Sequence, residues 1–230
     1  MAEEGQSMSR ARPLSVAFLF LALAASPSVA RSRHGSRAAP QGSAGVFDYY
    51  VLSLSWSPEH CVSARADADG EQCSPGRKFG LVVHGLWPQY ETGWPESCGA
   101  EPLDRAVGDR MLDIMPSPKL IRHEWEKHGT CSGLPASSYF GKIREAFGKV
   151  RIPAAFQGPT ASVRTTPAGF KRALLDANPG IPQDGVAISC SGRYLQEVHI
   201  CLAKDLSPCR CGRDVRDHCT APDIVVRPVR

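Results

Sequence analysis

The sequence predicts an α+β fold with a central antiparallel β-sheet and with helices grouped in the middle of the chain. Segments of strand character lie near both ends of the 230-residue chain, and the segments between them carry apolar residues at helical spacing. Strands and helices do not alternate as they would in the βαβ repeats of a parallel sheet. The chain after its N-terminal region suits one domain with a sizeable core, which we expect over residues 46–230.

The first 30 residues are predicted to be an export signal peptide (residues 1–30). An apolar run from Leu14 to Ala25 is too short to span a bilayer, and Ser28-Val29-Ala30 has the small residues of a cleavage site. Residues 31–45, rich in Ser, Arg, Ala and Gly, are expected to form a flexible leader. No later segment is long and apolar enough to act as an anchor. We therefore expect a secreted or periplasmic protein that has no membrane anchor in its mature form, and we expect a monomer.

The cysteine content indicates an oxidising compartment. All nine cysteines follow the predicted export signal, which favours disulfides over reactive thiols. An odd number leaves one thiol unpaired. The net charge of +4 is compatible with a polyanionic partner, but many ordinary secreted proteins share it.

Two strands are predicted before the helical region. Phe47–Trp56 alternates and is rich in aromatic and β-branched residues, whereas Phe79–Leu86 is mostly apolar and indicates a buried, central place in the sheet. His84 lies at the end of this second strand. Between the strands, Cys61 and Cys73 bracket a polar loop, and a local disulfide is the simplest interpretation.

A loop rich in aromatic residues is predicted from Trp87 to Cys98, because it contains two Trp-Pro pairs, a tyrosine and a glycine. Exposed aromatic rings stack on the bases of single-stranded RNA, so Trp87, Tyr90 and Trp94 are candidate substrate-binding residues. The alternative is that the Trp-Pro steps only stiffen a loop over the core, and for Tyr90 this interpretation is equally good.

The remaining elements are indicated by apolar spacing and by Pro, Gly or Asn at their ends. The predicted helices cover Leu103–Met115, Ser137–Val150 and the segment from Thr166-Pro167 to Asn178-Pro179. The predicted strands cover Val186–Ser189, Tyr194–Leu202 and Ile224–Val226.

The central helix is predicted within the segment SPKLIRHEWEKHGTC, from Ser117 to Cys131. Ser117 can cap the helix, Pro118 suits its first position and Gly129 can end it. Leu120, Ile121 and Trp125 are expected to anchor the helix in the core.

The same helix concentrates groups that move or neutralise charge. Residues four apart lie about 40° from each other around a helix, so His123 lies over Lys127 and Glu124 over His128. Proton donors and acceptors beside a fixed cation are what phosphate chemistry requires.

Two groups of residues could form a metal site, and neither is favoured. A zinc protease has H-E-x-x-H, whereas His123 and His128 are five apart, about 140° around the helix, which makes joint chelation awkward. Near the C-terminus, Cys209, Cys211, His218 and Cys219 match no common zinc spacing. We therefore expect no metal site and no cofactor.

Two motifs resemble the active-site segments of the ribonuclease T2 family: LVVHGLWPQY around His84, and HEWEKHGTC from His123 to Cys131. LSLSWSPEHC, YFGKIREAF and ISCSGRYLQEVHICLAKDL extend the resemblance, especially to bacterial members, over most of residues 47–212. Two long motifs in the expected order make a strong signal.

The resemblance implies an α+β fold and metal-independent endonucleolytic cleavage of RNA. The ribose 2′-hydroxyl would attack the adjacent phosphorus to give a 2′,3′-cyclic phosphate, later hydrolysed to a 3′-phosphate. By resemblance, His84 is the general acid and His128 the general base, and His123 holds the phosphate. Glu124 and Lys127 would stabilise the crowded phosphorane, although the sequence leaves open whether Glu124 orients His128, pairs with Lys127 or acts protonated.

The resemblance also implies disulfide pairs Cys98–Cys131, Cys190–Cys219 and Cys201–Cys211, which leaves Cys209 as the odd thiol. Many relatives have Gln at the position of Ser55 and an acidic residue at that of Gln89, so the base preference is open. The histidines outside the two motifs, His34, His60, His199 and His218, are interpreted as leader, loop or sheet positions.

Two imidazoles with ordinary pKa values near 6.5 would give a bell-shaped rate profile in the mildly acidic range. Two rival functions are a metal-dependent hydrolase that uses the same histidines and a secreted RNA-binding protein without turnover.

Overall fold

The computed structural model describes residues 42–63 and 70–229, apart from the side chain of Ser63. The predicted export signal and most of the predicted leader lie outside the described residues. Six strands are described: β1 Tyr49–Trp56, β2 Leu81–Gln89, β3 Val163–Thr165, β4 Val186–Ser191, β5 Tyr194–Leu202 and β6 Ile224–Val226. Six α-helices are described: α1 Ser57–Ser63, α2 Gly70–Cys73, α3 Arg105–Asp109, α4 Pro118–Lys127, α5 Ala136–Lys149 and α6 Pro167–Ala177.

The strands form one sheet in the order β2-β1-β5-β6-β3, and β4 also pairs with β5. The α+β class is confirmed, and the sheet is antiparallel as expected except in one pairing. β5 and β6 pair in parallel through Tyr194 and Val225, while the other four pairings are antiparallel. The reason is the connection: residues 203–223 cross back along the sheet before β6, and only such a crossover permits a parallel pair.

Strand β2 lies at the edge of the sheet and not at its centre, because it pairs with β1 alone. It is apolar because helices α4 and α5 contact it, and Val83 and Leu86 are fully buried. It also runs three residues past the predicted end and includes Trp87 and Pro88, which the sequence assigned to a loop. Proline lacks a backbone N–H and is tolerated on an edge strand.

Two other segments differ from the prediction. The expected loop between Cys61 and Cys73 contains parts of helices α1 and α2. The helix expected over Leu103–Met115 is helical only in α3, and turns follow it. There the backbone N–H of Val83 donates to the carbonyl of Ile114 at 2.9 Å, a bond to β2 that replaces the local helical pattern. The short strand β3 was not predicted.

The core lies between the sheet and helices α4, α5 and α6. Its largest fully buried side chains include Trp56 and Tyr50 from β1, Tyr139 and Phe140 from α5, and Phe170 from α6. In the part of the chain that the structure describes, no helix combines the length and the apolar character needed to cross a membrane.

Candidate active site

A β-bulge in β2 sets the position of His84. Ser53 of β1 pairs with Gly85 and the next residue, Leu54, pairs with Val83, so His84 is the extra residue between them. Bulges bend a strand and redirect a side chain, and they are frequent beside active sites. The bulge therefore explains how a residue of a buried strand reaches an open cleft.

Gly85 lets helix α4 approach β2 closely. A Cβ atom at this position would lie 2.0 Å from Oε2 of Glu124 and 2.4 Å from Nε1 of Trp87. Those two atoms are joined by a hydrogen bond of 2.6 Å, in which the Trp87 indole donates. Only glycine leaves room for this contact.

Helix α4 presents its charged residues to the same cleft. The Ser117 hydroxyl accepts from the N–H of Leu120 at 3.3 Å, as predicted for the cap, and Pro118 is the first helical residue. Ile121 and Trp125 are buried and anchor the opposite face, whereas Leu120 is only half-buried. The anchored helix holds its polar face against β2.

A cavity of about 410 Å³ contains all five residues predicted to act on the substrate. Its lining comprises His84, His123, Glu124, Lys127 and His128, together with Val51, Trp87, Gln89, Trp94, His199, Asp214, Val215, Arg216 and His218. The two motifs, at residues 81–90 and 123–131, therefore meet in one cleft. Its volume is in the range of small-ligand pockets.

His84 lies between two carboxylates. Its Nδ1 donates a 2.6 Å hydrogen bond to Oε1 of Glu197, and its Nε2 lies 3.6 Å from Oε1 of Glu124. Burial disfavours the charged ring, but the hydrogen bond to Glu197 and the nearby negative charges outweigh burial. The pKa of His84 is therefore raised above its usual 6.5.

His128 has the opposite environment. The ring is buried and its Nδ1 has no hydrogen-bond partner in the described protein. Burial, with smaller contributions from the positive charges of Lys127, His123 and His84, lowers the pKa of His128 to about 3. The neutral imidazole is thus the stable form near neutral pH, in contrast to His84.

Glu124 is 1 % exposed, and burial raises its pKa to about 7. The positive charge of His84, the Trp87 hydrogen bond and Lys127 oppose this shift but do not cancel it. Half of the Glu124 side chains are therefore protonated near pH 7, and the carboxyl can then donate a hydrogen bond.

The two other predicted site residues of α4, Lys127 and His123, are more exposed. Nζ of Lys127 lies 3.7 Å from Oε2 of Glu96, and the same oxygen accepts a 3.3 Å hydrogen bond from Nε1 of Trp94. The His123 side chain lies on the exposed side of the cleft. Partial shielding of its ring from water, together with the positive charges of Lys127 and His84, lowers its pKa. Both can reach an anion in the cleft.

The three aromatic residues of the predicted substrate-binding set lie in different places. Trp87 is central: its ring contacts those of His84, His128 and His199 at centroid distances of 5.2, 5.3 and 5.5 Å. Trp94 is 45 % exposed and lines the cavity. Tyr90 packs against the main core instead, which fits the alternative interpretation given for it.

Sequence reasoning missed Glu197, and it gave His199 no role beyond its place in the sheet, where the structure does put it. Oε2 of Glu197 accepts a 3.1 Å hydrogen bond from Nε2 of His199, so one carboxylate bridges His199 and His84. His199 was interpreted as a plain sheet position and His218 as a loop position, yet both line the cavity. Residues two apart in a strand share one face of the sheet, so the sequence already indicated that Glu197 and His199 lie side by side.

The structure contains four disulfides, and they join the expected cysteines: Cys61–Cys73, Cys98–Cys131, Cys190–Cys219 and Cys201–Cys211. Cys209 is a free thiol, and burial raises its pKa. Since Cys211 and Cys219 are oxidised, they cannot serve as thiolate ligands in the zinc set weighed above. Among the residues that the structure describes, no cluster of three or more His, Cys, Asp or Glu side chains has metal-binding geometry.

Comparison with known proteins gives one consistent result. The sequence profile of the Ribonuclease T2 family matches residues 47–211. A protein named "Ribonuclease" from Aeromonas hydrophila is 40 % identical over 203 residues, which cover 83 % of this chain and 90 % of that protein.

Solved structures share the fold. An RNase-related protein from Calystegia sepium has a TM-score of 0.65 at 21 % identity, covering 80 % of this chain and 98 % of that one. RNase NT in complex with 5′-AMP has a TM-score of 0.63 at 23 % identity, covering 80 % of this chain and 99 % of that one.

Proposed function

This chain belongs to the ribonuclease T2 family and is an endoribonuclease, and on that premise we propose that His84 and His128 form its acid–base pair. The substrate is single-stranded RNA. The ribose 2′-hydroxyl attacks the adjacent phosphorus, the bond to the 5′-oxygen breaks, and a 2′,3′-cyclic phosphate forms; water later opens this ring to a 3′-phosphate. The proposed reaction needs no metal ion.

One observation carries the proposal: the two imidazoles line one cavity, and their surroundings move their pKa values in opposite directions. A pair of titratable groups driven apart in this way divides naturally into an acid and a base. His128 is neutral and accepts the proton of the 2′-hydroxyl. His84 is protonated and gives its proton to the leaving 5′-oxygen, while its other nitrogen is held by Glu197.

With a pKa of about 3, His128 is a weak base in the free protein, and bound substrate changes that pKa. An anionic phosphodiester within the cleft favours the protonated form of His128 and raises its pKa. Proton transfer to His128 thus becomes easier only when RNA is bound.

The crowded, negatively charged phosphorane is stabilised by His123, Lys127 and Glu124. Lys127 supplies a fixed positive charge, and His123 contacts the phosphate from the open side of the cleft. Glu124 acts in its protonated form, because its buried carboxyl has a pKa of about 7 and its contacts are to Trp87 and His84 and not to Lys127. A protonated carboxyl donates to a phosphoryl oxygen and does not repel it.

Base contacts are assigned to Trp94 and Trp87. Trp94 is exposed at the rim, where a base can stack on its face, and Trp87 lies deeper beside both catalytic imidazoles. Tyr90, although predicted on the same grounds, is left out because it packs on the core.

The test is an oligonucleotide that contains a single ribose in an otherwise deoxyribose strand, incubated with the protein in a chelator. Cleavage is expected only on the 3′ side of the ribose, with a 2′,3′-cyclic phosphate at the new end, and the all-deoxy strand serves as the matched control. Cleavage of the all-deoxy strand would refute attack by the 2′-hydroxyl, and loss of cleavage in chelator would favour the metal-dependent rival.

Two variants test the histidine pair. His84→Phe and His128→Phe are each expected to lower kcat/KM on RNA by about 10²–10⁴-fold, since each removes one proton-transfer group. Unchanged RNA breakdown by His84→Phe would refute the assigned acid.

Export is proposed as well. Four disulfides suit an oxidising compartment. The signal peptide over residues 1–30, the leader over residues 31–45 and the catalytic domain over residues 46–230 stay predictions. N-terminal sequencing of the exported protein tests the first boundary, and the mass in solution tests the expected monomer.

A further inference from the structure

Glu197 accepts hydrogen bonds from three side chains, one of which is the proposed acid His84. Its Oε1 accepts from Nδ1 of His84 at 2.6 Å and from the Ser55 hydroxyl at 3.0 Å, and its Oε2 accepts from Nε2 of His199 at 3.1 Å. Both oxygens are therefore occupied, and the plane of the carboxylate is set from two sides. The side chain is 17 % exposed, so these bonds are largely shielded from water.

Backbone pairing places Glu197 at this point. Ser55 of β1 pairs with Glu197 of β5, and a register irregularity in the β4–β5 pairing leaves Gln196 as the extra residue beside it. On the other side of β1, the bulge in β2 turns His84 toward the cleft. Two irregularities, one in the β1–β2 pairing and one in the β4–β5 pairing, thus accompany the contact between residues that lie 113 positions apart.

We propose that Glu197 is a positioning residue for His84: its carboxylate holds the Nδ1–H, directs Nε2 into the cleft and favours the charged ring that the acid role requires. This inference rests on the proposed function. A carboxylate accepts hydrogen bonds and cannot donate them, so the proton must lie on Nδ1 of His84. The remaining nitrogen, Nε2, faces Glu124 and the cleft, and it carries the proton that is transferred.

Charge is the second part of the effect. Burial favours a neutral Glu197, but the hydrogen bonds from His199 and His84 outweigh burial and hold the pKa of Glu197 well below its usual range. Glu197 is therefore ionised in the pH range in which His84 changes its charge. The charged and titratable groups around His84 are Glu197 and His199 from β5, Glu124, Lys127 and His123 from α4, His128 after α4, and His60 from α1 across the neighbouring cavity.

The experiment compares Glu197→Gln with the unchanged protein on two substrates. RNA needs a protonated leaving group, whereas a ribonucleoside 3′-(4-nitrophenyl phosphate) releases a nitrophenolate that leaves without a proton. If Glu197 acts through the acid, Glu197→Gln lowers kcat on RNA by about 10–10²-fold with little change in KM, and it lowers the rate on the aryl ester less than about threefold. The alkaline limb of the RNA profile moves to lower pH, as does the titration of His84 followed by NMR.

A control and a second variant keep the result interpretable. Glu59 is also a buried carboxylate, it is paired with Arg227, and it does not line the cavity that contains His84, so Glu59→Gln is expected to lower the melting temperature without moving the alkaline limb. If Glu197→Gln does not fold, Glu197→Asp, which keeps the charge at a shorter reach, is expected to show the same larger loss on RNA than on the aryl ester.

Three outcomes separate this inference from the proposed function. Equal losses on both substrates in a folded variant, or no loss on RNA, overturn the role of Glu197. If His84→Phe loses RNA cleavage and keeps aryl ester cleavage, but Glu197→Gln shows no such selective loss on RNA, only the positioning role fails. If His84→Phe cleaves RNA normally, the assigned acid itself fails.

Discussion

Nε1 of Trp87 donates a 2.6 Å hydrogen bond to Oε2 of Glu124, a carboxyl that is buried between β2 and α4. The indole edge is therefore committed to the protein, and the ring lies among His84, His128 and His199. Trp87 was predicted as a base platform, but its geometry gives it a second task. It fixes the orientation of the carboxyl that we propose stabilises the phosphorane.

Replacing Trp87 tests that task. Trp87→Phe removes the donor, so the pKa of Glu124 is expected to rise above about 7. The kcat on RNA is expected to fall by about tenfold for a different reason, because the carboxyl loses the hydrogen bond that orients it. Infrared absorption of the carboxyl group and steady-state kinetics measure the two effects. Trp94→Phe is the matched control, expected to raise KM without changing the Glu124 titration. An unchanged titration in Trp87→Phe would contradict the assignment.

The pH dependence of kcat/KM is expected to be broader than two ordinary imidazoles allow. His84 must be protonated, and its pKa is raised, so activity is lost as pH rises through a value above 6.5. His128 must be neutral, and its pKa is about 3. Activity therefore persists far below pH 6.5 and falls only as the pH approaches about 3. Protonated Glu124, with a pKa of about 7, adds to the alkaline limb. A narrow bell-shaped profile with both limbs near pH 6.5 would show that the surroundings do not shift the pKa values of His84 and His128 apart.

Gly85→Ala is expected to damage both stability and activity. The added methyl group would lie 2.0 Å from Oε2 of Glu124, so α4 and β2 must separate, at a cost of about 1–3 kcal/mol in the free energy of unfolding. Denaturant unfolding and RNA cleavage measure the two effects. Gly141→Ala in α5 is the control, because apart from the adjacent residues and the backbone of its own helix no atom lies within 4 Å of its Cβ position; the free energy of unfolding should rise by about 0.5–1 kcal/mol and full activity should remain. Native stability in Gly85→Ala would mean that the close approach is not required.

The Cys98–Cys131 disulfide is expected to matter for substrate binding. It joins the segment that carries Trp94 to the end of α4, where the N–H of Ser97 also donates to the carbonyl of Lys127 at 2.7 Å. Replacing both cysteines with alanine should lower the free energy of unfolding by about 2–4 kcal/mol and raise KM, since Trp94 is no longer held at the rim.

The Cys61–Cys73 disulfide is the control for that experiment. It closes a shorter loop, with a separation of 12 residues compared with 33, so its removal should cost less stability and leave KM unchanged. Equal effects of both double variants on KM would contradict a local role for the Cys98–Cys131 bridge.

Helix α4 shows which features could be read from sequence. Its cap at Ser117, its start at Pro118 and the two buried anchors Ile121 and Trp125 all follow from local chemistry and helical spacing. The grouping of His123, Glu124, Lys127 and His128 follows from the same spacing. Strand β5 was predicted with its observed bounds, because its pattern is equally local.

The errors have a common cause. The edge position of β2, the shortened helix before α4 and the parallel pairing of β6 all depend on partners that are distant in sequence. An apolar strand has the same sequence pattern whether another strand or a pair of helices packs against it. Glu197 was missed for the same reason, since 113 residues separate it from His84.

The sequence by itself determined the α+β class, the family resemblance and the identity of the groups proposed to move protons, because these depend on residue type and short-range spacing. Only the tertiary structure decided how those groups differ from one another. Two imidazoles with the same intrinsic chemistry acquire opposite pKa shifts because one is hydrogen-bonded to a carboxylate and the other is buried without a partner beside positive charge. Burial and long-range contacts set these electrostatic differences, and no local pattern encodes them.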